Sequence, residues 1–231
     1  MKYLFSGLLA AVVMFIGCKD SETTPVDMYN YMPLEVGRYV IYDHKEEIYS
    51  AGKNAPVISS WQEKDQVIEQ SKQNENSSTF IIARYKRSSD TDYWTKIKEY
   101  AVKQTPDRIL TTIDNQTVFS LVFPIDEKVR WNGNSFNNND PEEYSYESVN
   151  EPSTVSEKSF DQTITVVERM DSSVINKYTG LKKYALGIGL VYDDQISFEY
   201  CQTQECLNSD IRKVESGFHR TRTVRESGIV K

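Results

Sequence analysis

Apolar and polar positions alternate with a period of two along much of this chain, and helical spacing is scarce, which predicts strands. Residues 79–87 set Phe80 and Ile82 against Ile81, Ala83 and Tyr85, apolar on both sides, as in a buried strand. Residues 117–123 put Phe119, Leu121 and Phe123 on one face and Val118, Ser120 and Val122 on the other. Residues 197–201 bring Phe198 and Tyr200 together, and 217–225 group Phe218 and Val224 with Arg220 and Arg222, opposite His219, Thr221 and Thr223. The stretch 61–72 is read as strand because Val67-Ile68 has almost no partner at helical spacing. Polar turn signals separate these runs at 51–54, 73–78, 88–92, 105–107, 114–115 and 132–141. Many short strands between polar turns predict an all-β fold, a largely antiparallel sheet curved into a half-barrel or folded as a sandwich.

The N-terminus departs from that pattern. After Lys2, residues 4–16 form an apolar core of thirteen residues that ends in Gly17-Cys18, and polarity then rises at Lys19-Asp20-Ser21-Glu22. This is the layout of a secretory signal peptide. The uncharged run 3–18 has sixteen residues, short of the roughly 20 that a spanning helix needs. Cys18 directly after a small residue resembles the lipobox of bacterial lipoproteins, in which the thiol is acylated and becomes the mature N-terminus; Phe15 stands where that motif usually has Leu. A diacylglyceryl group supplies the two chains that stable anchoring requires. The expected organisation is a signal peptide over 1–17, a lipidated Cys18 with a polar tether over 18–32, and an antiparallel β domain over 33–231. Asp20 and Glu22 beside Lys19 resemble a surface-export signal of Bacteroidota lipoproteins, and read equally well as a solvated linker.

Removing the signal leaves 26 basic and 34 acidic side chains, a net charge of −8. That balance excludes the basic footprint of a nucleic-acid binder. Fifteen Tyr, nine Phe and three Trp favour strands further. With Cys18 acylated, Cys201 and Cys206 remain, an even pair at close spacing in an exported chain, and this reads as a structural disulfide.

Candidate chemistry is sparse. Gly187 and Gly189 interrupt an apolar run, 184–192, and predict a bulge or close backbone approach within a strand. A phosphate-cradling loop would have to open a helix, whereas Asp193-Asp194 and another strand-like run follow. The doublets Glu46-Glu47, Asp126-Glu127, Glu142-Glu143 and Asp193-Asp194 point their members to opposite faces in a strand and read as solvated strand ends and turns. The loop 132–143 is rich in oxygens but lacks the spacing of a calcium loop. His44 and His219 are the only histidines, and neither a nucleophile elbow nor a zinc motif is present. Arg220, Arg222 and Arg225, alternating with Thr, read as an exposed strand face. The sequence therefore assigns no catalytic residue, metal site or cofactor.

Tyr31-Met32-Pro33-Leu34 followed by Val40-Ile41-Tyr42 parallels Val122-Phe123-Pro124-Ile125 followed by Trp131-Asn132-Gly133, a faint internal echo in which proline starts an edge strand. The series Pro33-Leu34-Glu35-Val36-Gly37, Tyr42-Asp43, Phe123-Pro124, Trp131-Asn132-Gly133-Asn134, Tyr184-Ala185 and Gly187-Ile188-Gly189-Leu190-Val191-Tyr192 resembles a family of uncharacterised Bacteroidota lipoproteins. The resemblance implies an exported, lipid-anchored antiparallel β domain and carries over no catalytic residue; the expected location is the outer membrane. The expected role is a non-catalytic binding module for a glycan, lipid or protein ligand; the alternative is a carboxylate-dependent polysaccharide hydrolase.

Overall fold

A computed structural model describes residues 27–208 and 212–230. It contains one antiparallel sheet of twelve strands: β1 (Arg38–Tyr49), β2 (Val57–Asn74), β3 (Ser77–Arg87), β4 (Thr95–Thr105), β5 (Arg108–Ile113), β6 (Gln116–Val122), β7 (Arg130–Asn132), β8 (Glu143–Val155), β9 (Lys158–Ser172), β10 (Asn176–Ala185), β11 (Gly189–Tyr200) and β12 (Val214–Ile229). The turns read from the sequence separate these strands, and the all-β antiparallel fold holds.

Neighbours in sequence are neighbours in the sheet, with one exception. The order runs β6-β5-β4-β3-β2-β1-β12-β11-β10-β9-β8-β7, so the first strand pairs with the last and the two free edges belong to β6 and β7 in mid-chain. The sheet curls until those edges meet, a nearly closed barrel. At the seam the Phe119 N–H donates to the Gly133 carbonyl at 2.9 Å. The Trp131 Nε1–H donates to the Phe119 carbonyl at 2.8 Å, and the Asn137 side chain reaches the Thr117 carbonyl. Side chains thus occupy edge groups that a further strand would otherwise bond.

Each proline of the internal echo precedes a run of six strands, β1–β6 after Pro33 and β7–β12 after Pro124. Neither proline starts a strand, and β1 lies between β2 and β12 rather than at an edge. What the echo positions share is burial: Tyr31 and Ile125 enter the same core cluster, with Leu34 and Phe123 packed against it.

Signal peptide, Cys18 and most of the tether lie outside the described residues. The last tether residues are not a tether. Met28–Tyr31 form a 3-10 turn, and Tyr31 is 1% exposed with its hydroxyl donating to Asn150 Oδ1. Tyr29 donates to the Pro106 carbonyl and packs on Phe123, while Asn30 accepts from the Gly187 N–H at 2.7 Å. The aromatic bodies within MYNYM outweigh its polar neighbours, so the segment packs against one end of the barrel.

The Gly187 expectation is likewise corrected. Residues 186–188 are not within a strand; they turn the chain from β10 into β11, with Gly187 at φ +78° and Gly189 at φ +103°. Those backbone angles suit glycine and exclude a continuous strand. The close backbone approach is real, since Gly187 bonds the Met28–Tyr31 turn. Cys201 and Cys206 are bridged, with Cα atoms 5.8 Å apart. The bridge staples the end of β11 to the helical turn Gln204–Leu207 in the β11–β12 connection.

Candidate functional site: a cavity beneath an interior belt of charge

Alternation along a barrel strand sends every second side chain inward. On β2 this face carries Trp61, Glu63, Asp65 and Val67; on β3 it carries Ile82, Arg84 and Lys86. Apolar residues fill one end of the interior, and two residues further along the same faces the side chains are charged. In the sheet register Arg84 lies opposite Asp65, Arg222 opposite Asp193, and Asp193 opposite Lys182. The result is a belt of cross-strand ion pairs inside the wall.

Arg84 grips Asp65 with two bonds, Nε to Oδ1 at 2.7 Å and Nη2 to Oδ2 at 2.8 Å. Arg222 Nε and Nη2 both reach Asp193 Oδ2. Lys182 bonds Glu168, and Gln195 donates to both Glu168 and Asp193. Arg222 Nη1 lies 3.5 Å from Asp65 Oδ2 and 3.9 Å from Glu63 Oε2, which joins the two arms of the belt across β1. There the Tyr42 ring stands 5.1 Å from the Arg222 guanidinium. Glu63, Glu168 and Asp193 are all buried.

Paired burial fixes the protonation of these groups. Burial opposes ionisation of Glu63, but His44, Arg84, the Trp61 N–H and Arg222 outweigh it and hold the carboxyl at about 2. Burial likewise opposes ionisation of Asp193, and Arg222, Lys182 and Gln195 override it, so its value is lowered. Lys182, with burial against it, is raised by Glu168 and Asp193. Burial raises the phenols of Tyr42 and Tyr184, so both stay neutral donors.

Next to the belt is a cavity of about 230 Å³. Its wall combines Val40, Val67, Ile82, Val118 and Leu190 with Arg84, Asp65, Lys182 and Arg222, and with Tyr42, Tyr100 and Tyr184. Two buried polar atoms of its lining residues make no hydrogen bond, Arg222 Nη1 and Arg38 Nε. An apolar pocket with a few convergent polar groups is the usual form of a ligand site.

The structure disperses most of the sequence-predicted chemistry and collects chemistry that the sequence reading passed over. Asp194 points away from the belt to His219 at 2.8 Å, and Glu46 and Glu47 part to Arg220 and Lys45. Asp193, expected to be solvated, is buried because Arg222 and Lys182 face it. The exposed arginine face holds for Arg220 and Arg225 and is corrected for Arg222. Arg222 points inward with Val224, while Arg225 lies outside against Asp43 and Asp90. His44 stacks on Trp61 at 4.1 Å between ring centroids. The loop 132–143 is ordered by Asn132 Oδ1, which accepts from the Asn134 and Glu142 N–H groups. Among the described residues no cluster of three or more His, Cys, Asp or Glu is arranged to hold a metal ion. Asp65, Arg84, Glu168 and Lys182 were missed. The grouping of Phe218 and Val224 with Arg220 and Arg222 was the available signal that charge shares an apolar face.

No family model matches the chain, and no curated protein matches it. Among solved structures it is similar to a presumed lipoprotein of Parabacteroides distasonis, with 10% identity, a TM-score of 0.44, and coverage of 86% of this chain and 98% of that one. Likeness at that level assigns the chain to no family, and the reading of the site rests on its own geometry.

Proposed function

We propose that this chain is an exported lipoprotein, held at the outer membrane through Cys18, that binds a ligand inside its barrel and carries no catalytic chemistry of its own. The observation that carries this reading is the cavity, whose apolar wall ends at a belt of groups already neutralised by one another. A hydrolase acting through carboxylates needs one of them protonated near neutral pH. Glu63 and Asp193 are pushed the other way and serve as fixed anions. The phenols and Arg222 Nη1, which makes no hydrogen bond, supply donors without supplying a proton-transfer step.

Native mass spectrometry of the protein taken from intact cells tests the binding claim, and a retained small molecule is the expected result. A parallel screen against polysaccharides, glycosides and esters tests the absence of catalysis. Turnover that disappears in Glu63→Gln or Asp193→Asn would replace this reading with an enzymatic one.

A further inference from the structure

We infer that the cavity takes a small amphiphile with a single acidic head group, the head seated on Arg222 Nη1 and the tail lying over Val67, Ile82 and Val118. The inference rests on the binding reading above and adds the chemical class of the ligand.

The distribution of charge within the belt carries it. The charged side chains lining the cavity are Arg38, Arg84, Lys182 and Arg222, against Asp65 alone. Their counter-acids Glu63, Glu168 and Asp193 do not line it. The wall of the cavity therefore carries more cations than acids, although Arg84, Lys182 and Arg222 are each paired within the belt, and that balance favours an anion. Hydrogen-bonding capacity points the same way. Arg222 spends Nε and Nη2 on Asp193, and its Nη1 is buried with no hydrogen bond made, at ion-pair distance from Asp65 Oδ2 (3.5 Å) and Glu63 Oε2 (3.9 Å). An unmet buried donor is costly, and a carboxylate or phosphate oxygen is the acceptor that a guanidinium fits best. The Tyr42 and Tyr184 phenols, kept neutral by burial, line the same space as further donors. Much of the rest of the wall is aliphatic, including Val40, Val67, Ile82, Val118 and Leu190, and suits a hydrocarbon chain, with Thr111, Gln116 and Ser120 as polar interruptions. At about 230 Å³ the space falls below the roughly 300–1,000 Å³ of pockets for drug-sized ligands, so the chain is short.

Calorimetric titration with three probes of equal chain length, octanoate, octanol and octylammonium, tests this. The protein is the full chain carrying Cys18→Ser, so that neither its own lipid nor detergent competes. Octanoate is expected to saturate a single site about tenfold or more tighter than the other two, and Arg222→Gln to remove that advantage while leaving octanol unchanged. Because Arg222 also holds Asp193, a second variant acts from outside the belt: Val118→Trp fills the cavity from β6 and is expected to abolish binding of every probe. Equal affinity for octanoate and octanol, or preference for octylammonium, overturns the acidic-head assignment while the cavity remains a binding site. Failure of all three probes to bind, or binding untouched by Val118→Trp, overturns the assignment and the cavity reading together.

Discussion

The hydroxyl of Tyr146 donates to the Val122 carbonyl and accepts from the Val122 N–H, both at 2.8 Å. One phenol on β8 thus satisfies both backbone groups of a residue on the free edge of β6, as a paired strand would. Trp131, 4.7 Å from the Tyr146 ring, does the same for the Phe119 carbonyl. The barrel is sealed at this seam largely by side chains.

Tyr146→Phe keeps the buried ring and deletes only the seal. Leaving the two Val122 groups without this partner should cost about 1–3 kcal/mol. Urea unfolding should show a lowered midpoint at unchanged slope, and hydrogen exchange should show faster loss of protection at the Val122 and Phe119 amides than at strands far from the seam.

The ion-pair belt should respond unequally to single and double changes. Asp65→Leu leaves the Arg84 guanidinium buried without its bidentate partner, and the expected loss is about 3–5 kcal/mol. The double variant Asp65→Leu with Arg84→Met should lose less than Asp65→Leu alone, because no uncompensated charge remains. A double-mutant cycle in urea measures the difference.

Acid should weaken the fold through the belt. Glu63 sits at about 2 in the folded chain against an ordinary 4.5, so folding favours its ionised form. That contribution is fully present above the ordinary value and drains away as pH falls from about 4.5 toward about 2. Asp193, also lowered, adds a loss of the same sign. Unfolding midpoints followed from pH 7 into this range should fall, and Glu63→Gln should flatten the fall while lowering stability at neutral pH.

Removing the disulfide should cost little and spare the barrel. The bridge spans a sequence separation of 5, and the helical turn it holds has no buried residue. Cys201→Ala with Cys206→Ala is expected to lose about 2 kcal/mol on the chain-entropy account. The near-ultraviolet circular dichroism of the core aromatics should be retained.

Cys18 is expected to carry the lipid and to be the first residue of the mature chain. Intact-mass measurement of protein extracted from membranes checks both points, and a mature N-terminus elsewhere would remove the anchor from the proposed function.

The strands and turns were legible because each depends on a few adjacent residues. Period-two alternation marked 79–87, which lies within β3, and polar punctuation marked turns such as 114–115. The 186–188 turn escaped because Leu186 and Ile188 continue an apolar run across it. The belt escaped for a different reason. In a sheet with one wet face, a charged strand position means solvent. Here Asp65, Arg84 and Lys182 share inward faces with Val67, Ile82 and Tyr184, and alternation alone does not say which side of a closed sheet is wet. The seam is the least legible feature, since Tyr146 and Val122 meet only after every intervening strand has curled.

The pairing of β1 with β12 bears on when this chain can fold. Arg38 aligns with Ile229 and Tyr49 with Gly217, so the first strand finds its second neighbour only in the twelfth. Contacts of such long sequence separation form slowly and late. A chain threading through a membrane N-terminus first would expose one side of β1 until β12 emerged, and could not complete its barrel before then. Under the proposed export, delayed closure would keep the chain unfolded long enough to be translocated, at the cost of an open strand edge that a holding chaperone would have to cover.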